Sequence, residues 1–439
     1  MLTSRLIESA LKFCKTSPRQ IFIAYSGGID SHALLHLCAQ DRSLRDRLIA
    51  VHVHHGLQES AEIWASHSEN IARELDVKFL LFRVNAHPKH GESPEEAARN
   101  ARYEAFKSVI KPGDALLVAQ HQDDQLETVL LQLLRGGGLL GLAGMPASLA
   151  FGRGTLLRPF LSVRKQLIDD YAAEHQLRWI EDPSNNESVY DRNFLRQRVL
   201  PLLKQRWPSC DQTVARAAAH CAQAHALQTE LAAELFGQVH QADDNTLEID
   251  RLSRFDLQRR QLIIRHWFQV MGLKMPSQAF LAELFGHVIG AGINSNPVLL
   301  GQGCQIRRYR SKLYCLRDKV AEGLHCLDWP KDAKSVKIGK HVTLTRVISA
   351  AGIPEAIWRQ SKVTIKFRSG GESIALPGRR GHHHLKNLYQ EIGIPPWERD
   401  AMPLIYLDER LAAVADLWIS AEFYRDNSGD CIRFSVCRD

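Results

Sequence analysis

No Gly-x-x-x-x-Gly-Lys-Ser/Thr string occurs in this sequence, which excludes an ordinary Walker-type phosphate loop. Its nine cysteines (Cys14, Cys38, Cys210, Cys221, Cys304, Cys315, Cys326, Cys431 and Cys437) are scattered, odd in number and free of any Cys-x-x-Cys pair. That pattern argues against a zinc ribbon, a redox pair and a disulfide framework. No apolar run approaches the ~20 residues that a membrane span needs. The opening stretch, 1–15, is amphipathic and lacks a signal peptide's apolar block and small-residue cleavage site. A cytoplasmic location without a membrane partner is expected. Charge of one sign is also scarce: 56 Lys and Arg against 49 Asp and Glu leave a net +7, which permits a polyanionic partner without requiring one. At 439 residues the chain exceeds a single core, so two or three domains are expected.

What is present begins with the run from Ile21 to Ala39, an apolar strand, a glycine-bearing loop and a helix. Ser26, Gly27, Gly28, Ile29, Asp30 and Ser31 occupy the junction. A strand feeding a helix aims free N–H groups and the positive dipole end at the loop, which suits phosphate. Two glycines let successive N–H groups face one anion. Asp30 would repel phosphate unless Mg²⁺ lies between them. The motif therefore points to a metal–triphosphate site built from these six residues. Read alone, Ser-Gly-Gly is equally a corner whose Ser and Asp cap a helix. A second echo, Ser369-Gly370-Gly371-Glu372-Ser373, lacks the aspartate and a following helix, and reads as a turn.

Strands are expected at Leu48–His55, Lys78–Val84 and Ala115–His121, with a shorter one near Leu156. Helices are expected at Glu59–Leu75, from Ser93-Pro94 onward, at Asp124–Arg135 and at Val163–His175. Ser93 is the expected N-cap of its helix. Solidly apolar strands alternating with helices imply an α/β fold with a parallel sheet covered on both faces, and ligands bind beyond the carboxyl ends of its strands.

Candidate residues gather at those ends. His52, His54 and His55 close the second strand; no further ligand follows at metal spacing, so His52 is expected to line the nucleotide pocket. Asp124, Glu127 and Thr128 share a helix face, with Leu126, Val129, Leu130, Leu133 and Leu134 supplying most of the buried side. Asp123 or Asp124 is alternatively a simple N-cap. Arg99 and Arg102 lie three apart on the preceding helix, and Arg192, Asn193, Arg196 and Arg198 follow a polar turn region. Such arginines suit phosphates of ATP or RNA.

Taken in order, these strings resemble the tRNA(Ile)-lysidine synthase family of PP-loop ATP pyrophosphatases. They are Ser26–Ser31, His52–Gly56, Ala98–Tyr103, His121–Thr128, Leu134–Met145, Arg158-Pro159, Glu181–Asn185 and Arg192–Arg196. The resemblance implies a Rossmann-like PP-loop domain, the adenine nucleotide α-hydrolase type, over 1–208. A mainly helical tRNA-binding domain would follow at 209–325 and a small α+β tRNA-binding domain at 340–439. It implies ATP and Mg²⁺ as co-substrate and cofactor, free L-lysine as nucleophile, and an isoleucine tRNA with a CAU anticodon as partner; a homodimer is one compatible assembly. The wobble cytidine would be adenylated and lysine would displace AMP, switching the tRNA from methionine and AUG to isoleucine and AUA. On this basis Asp30 holds Mg²⁺, with Asp124 as a second candidate ligand. Asp124 and Glu127 bind the lysine or its amine, Glu127 being the better amine partner. Arg102, Arg192 and Arg196 stabilise phosphate charge or position RNA. A related tRNA thiolase is disfavoured by the lack of Cys-x-x-Cys, an ammonia-using synthetase by the lack of an N-terminal Cys nucleophile. Asp30, Asp124 and Glu127 together argue against an inactive nucleotide- and RNA-binding module.

In the C-terminal half, Val214–Phe236 and Arg254–Met271 read as helices, and Arg307, Arg308, Arg310 and Lys312 stud a strand on an expected basic face. Strands are also expected around 343–349 and 364–371. The run from Arg379 to Arg399 resembles the family's C-terminal domain, with Gly393–Trp397 as the clearest match. His382, His383 and His384 stand where family members carry Lys or Arg, so RNA affinity is expected to rise as pH falls.

Overall fold

The computed structural model describes residues 2–54, 61–88, 94–181, 191–292, 295–317, 326–339, 342–426 and 429–438. His55, Gly56, Ser93 and residues 182–190, the last including Asn185, lie outside the described residues. The chain divides into two compact units, Met1–Ala232 and Ala233–Asp439.

In the first unit, α1 (Ser4–Leu11) precedes β1 (Ile21–Ala24), α2 (Ile29–Gln40), β2 (Leu48–His54), α3 (Ala61–Glu74), β3 (Lys78–Arg83) and α4 (Pro94–Val109). Then come β4 (Ala115–Leu117), α5 (Gln122–Leu134), α6 (Leu139–Leu142), β5 (Ser148–Phe151), β6 (Gly154–Leu157) and α7 (Lys165–Glu174). The short α8 (Asp191–Phe194) runs through a π-turn into α9 (Leu200–Arg206), followed by α10 (Cys210–Val239). The sheet order is β3-β2-β1-β4-β6-β5. Every pair is parallel except the edge hairpin β5–β6. The sequence reading did not include β5, because Leu149 and Ala150 are both exposed and carry no alternation. Strand β4 ends at Leu117, sooner than its apolar run suggests.

Alternate side chains of the central strands feed two cores, as the strand period requires. Ile21, Ile23 and Leu117 pack with Leu34, Leu35, Ile168 and Tyr171 under α2 and α7. Phe22, Leu116 and Leu156 pack with Phe106 of α4 and with Ile110, just past its end, on the other face. Each fully buried Leu, Ile or Phe contributes about 1.5–3 kcal/mol, so the sheet is a rigid platform for the loops at its carboxyl edge.

The expected buried side of α5 needs correcting. Leu126 and Val129 are buried, but Leu133 and Leu134 are 58% and 75% exposed, whereas Glu127 is fully buried. A carboxylate takes that inward position because two arginines meet it there.

In the second unit the helix expected at Arg254–Met271 forms over Leu257–Val270, and its N-cap Asp256 accepts from the Arg259 N–H at 2.8 Å. It adds a five-stranded antiparallel sheet, β7 (His240–Gln241), β8 (Thr246–Glu248), β9 (Val298–Gly301), β10 (Cys304–Tyr309) and β11 (Lys312–Arg317). Trp267, Phe268, Phe280, Ile306 and Leu313 join helices and sheet in one core. The expected basic face is reduced. Arg308 is buried and donates to the Ile289 and Ala291 carbonyls at 2.7 and 2.5 Å, and Lys312 pairs with Asp244 at 2.7 Å. Arg307 lies over the Trp397 ring at 5.3 Å.

Among the described residues the C-terminal segment forms three further antiparallel sheets, two of which include Val342–Ser349 and Val363–Lys366. The second Ser-Gly-Gly string is a turn, as its sequence implies. Its Ser369 and Gly370 N–H groups donate to the Glu372 carboxylate at 2.6 and 2.8 Å. His382–His384 form a strand paired with Ser373–Ala375, with His382 and His384 exposed.

Candidate active site

The loop between β1 and α2 owes its shape to Gly27. Its φ is +86°, and a Cβ there would stand 2.9 Å from Ile180 Cδ1 and 3.1 Å from Ser68 Oγ. The Ile180 N–H donates to the Gly27 carbonyl at 3.0 Å, locking the turn. Ser31 Oγ donates to the Gly28 carbonyl at 2.9 Å, accepts from the Ser26 N–H at 3.2 Å and sits 3.0 Å from Ser26 Oγ. Gly28 is the N-cap of α2 and has no side chain to satisfy the first turn, whose N–H groups stay available to an anion.

His52 is buried and bonds to the residue that leads into this loop. Its Nδ1 is 2.9 Å from the Tyr25 carbonyl, which can only accept, so Nδ1 carries the proton. The ring stacks on Phe79 with centroids 6.4 Å apart. Burial lowers its pKa and keeps it neutral. The geometry makes His52 a clamp between β2 and the end of β1.

From Asp30 a ladder of charge runs across the sheet edge. Lys165, first residue of α7, donates to Asp30 Oδ1. Asp30 Oδ2 stands 3.7 Å from His121 Nε2, which is 3.5 Å from Asp124 Oδ2. The same Asp124 oxygen accepts from the His121 N–H at 3.0 Å, closing a capping box on α5. Burial works against the charge of Asp30, yet hydrogen bonding and charge from His121 and Lys165 hold its pKa below the usual carboxylate range. Burial likewise opposes protonation of His121, but Asp30 and Asp124 raise its pKa on balance.

At the far end stands Glu127, its side chain 1% exposed. Arg192 Nε donates to Oε2 at 2.7 Å, Arg196 Nε to Oε1 at 2.7 Å, and Arg196 Nη2 to Oε2 at 2.9 Å. Both guanidinium groups also approach Asp124 Oδ1, at 3.5 and 3.3 Å. Burial lowers the pKa of Arg196, and the bonds to Glu127 more than restore it. Lys204 holds Asp123 at 2.5 Å.

The structure thus gathers Asp30, Asp124, Glu127, Arg192 and Arg196. Arg102 lies half-buried on α4, which covers the sheet face opposite α2 and α7. Two members, Lys165 and His121, were not among the residues expected. Lys165 did leave a trace: Arg164-Lys165 puts two cations at a helix N-terminus, where the dipole favours anions.

Three family models match the chain: the PP-loop domain over residues 2–203, the TilS substrate binding domain over 247–314 and the TilS substrate C-terminal domain over 363–436. The tRNA(Ile)-lysidine synthase of Methylococcus capsulatus is 38% identical over 405 residues, covering 91% of this chain and 92% of that protein. That of Alkalilimnicola ehrlichii is 40% identical over 403 residues, covering 91% and 90%. The chain belongs to the tRNA(Ile)-lysidine synthase family. Among solved structures it is similar to the U34-tRNA thiolase NcsA from Methanococcus maripaludis, with a TM-score of 0.42, 15% identity, and coverage of 49% of this chain and 77% of that one.

The oxygen chemistry of this lysidine synthase site fits Mg²⁺, a hard cation that takes one or two carboxylates and is completed by substrate phosphates and water. Asp30 and Asp124 are carboxylates of that kind, 3.7 and 3.5 Å from the one His121 nitrogen. Among the described residues no group of three or more His, Cys, Asp or Glu is placed to hold a metal ion by itself. No helix among the described residues is long and apolar enough to cross a membrane.

Proposed function

We propose that the ATP loop, the Lys165–Asp30–His121–Asp124 ladder and the Glu127–Arg192–Arg196 bundle form one reaction centre. The chain forms lysidine on tRNA(Ile), using ATP through its PP-loop domain. In the first step the O2 atom of the wobble cytosine bonds to the α-phosphorus of ATP, and the bond to pyrophosphate breaks. In the second, the side-chain amine of free L-lysine bonds to C2, AMP departs with O2, and the amine loses a proton. Loop N–H groups and Lys165 meet the charge that builds on the leaving pyrophosphate. Asp30 and Asp124 would hold Mg²⁺, which when bound offsets triphosphate charge.

Glu127 takes a role that its burial suggests. It fixes the planes of Arg192 and Arg196 through paired N–H···O bonds, so that both present cationic edges beside Asp124. Asp124, less buried, faces the incoming amine. Residues 1–208 carry this chemistry, with 209–325 and 340–439 gripping the tRNA.

The observation that carries the reading is the shared imidazole. One nitrogen of His121 serves both Asp30 at the ATP loop and Asp124 at the arginine bundle. The test incubates the protein with ATP, Mg²⁺, lysine and CAU-anticodon isoleucine tRNA, then analyses digested nucleosides by mass spectrometry. Lysidine at the wobble position, with AMP and pyrophosphate released, is the expected result. Pyrophosphate release without a lysine adduct would require another nucleophile. A Glu127→Ala protein with undiminished lysine transfer would remove Glu127 from the mechanism.

A further inference from the structure

Arg158, of the Arg-Pro string after β6, is only 6% exposed. Its Nε donates to Gln120 Oε1 at 2.5 Å and its Nη1 to the Pro146 carbonyl at 2.7 Å, both neutral acceptors. Its ionisable neighbours are the Tyr103 phenol and a second cation, Arg99, whose guanidinium lies over the Tyr103 ring at 5.1 Å. No carboxylate of the described residues pairs with it. Buried charges in proteins are normally paired, because desolvation costs several kcal/mol per ion. Here the compensating anion has to come from outside the described residues.

The arginine lines a cavity of about 590 Å³ with Gln122, Leu140, Met145 and Pro146, a volume within the range of small-ligand sites. Gln122 is also 6% exposed, and its Oε1 has no hydrogen-bond partner. On α5, Gln122 is turned about 200° from Asp124 and about 140° from Glu127. The cavity is therefore separate from the reaction centre.

We propose that this cavity binds a nucleoside monophosphate unit, with its phosphate on Arg158, an N–H of its base on the Gln122 amide oxygen, and the base face on Leu140, Met145 and Pro146. A buried cation, an orphan acceptor and apolar walls match those three parts of a nucleotide. The unit comes either from the RNA substrate, in which case the inference rests on the function proposed above, or from a free mononucleotide.

The test fills the PP-loop with a non-hydrolysable ATP analogue, then titrates cytidine 5′-monophosphate into wild type, Arg158→Met and Gln122→Leu by calorimetry. One nucleotide should bind per chain, and each substitution should weaken it by about tenfold or more. Arg158→Met should melt no lower than wild type, since it removes an uncompensated buried charge. An anticodon stem-loop RNA displaced by the mononucleotide identifies RNA as the source; RNA left undisplaced identifies the free nucleotide. Failure of the nucleotide to bind, or equal binding to wild type and both variants, overturns the site. A failure of the catalytic reading would look different: wild-type protein would yield no lysidine while still binding the mononucleotide beside the filled loop.

Discussion

Lys165, at the start of α7, closes onto Asp30 in the first turn of α2, 135 residues earlier in the chain. The two helices lie side by side on one sheet face, and their N-terminal ends meet at the carboxyl edge. The ammonium shares with His121 the charge of the Asp30 carboxylate.

Lys165→Ala should therefore lower the rate of pyrophosphate release by about 100-fold or more, as loss of a preorganised charge partner does elsewhere. The arginine variant keeps the charge and should retain part of the activity. Unchanged turnover of Lys165→Ala, measured by a pyrophosphate assay, would remove Lys165 from the centre.

Gly27→Ala introduces a Cβ at φ +86°, 2.9 Å from Ile180 Cδ1. The left-handed conformation alone costs about 1–2 kcal/mol for an alanine. ATP affinity should fall. Adding Ile180→Ala should recover only part of it, because that change relieves the contact and leaves the backbone strain. Full recovery would show that the side-chain contact was the whole cost.

His32 is 3% exposed, and burial lowers its pKa from 6.5 to about 4, against a raising hydrogen bond to the Arg178 backbone. Because the folded value lies below the unfolded one, protonation favours unfolding. The contribution of His32 is complete above pH 6.5 and is lost as pH falls from there to about 4. At the lower limit the loss is on the order of 3 kcal/mol. Urea unfolding at pH 7, 6 and 5 should show stability declining, and His32→Gln should flatten the decline. An equal slope in both proteins would contradict the assignment.

His382 and His384 stand exposed on their strand beside Lys386. At fixed salt, tRNA affinity should rise as pH falls from about 7.5 to 6. Replacing both with alanine should abolish the rise. Flat affinity across the window in the unaltered chain would leave these histidines without a role in binding.

The sequence by itself determined the local chemistry. Apolar runs between turn residues specify strands, and Gly27, Gly28, Asp30 and Ser31 at a strand–helix junction specify a tight loop whose backbone N–H groups suit an anion. Each of these depends on neighbours within a few residues, so it is legible in one dimension. Tertiary structure decided which charges meet. Asp30 pairs with Lys165, and Glu127 is met by Arg192 and Arg196, 65 and 69 residues away. Such separations leave no periodic trace. A carboxylate on the inner side of α5 contradicts the amphipathic pattern until its arginines are placed against it. The same holds for Arg158, whose sequence context marks it only as a motif. Burial without a carboxylate among the described residues is a property of three dimensions, because desolvation depends on everything packed around the group rather than on what precedes it in the chain.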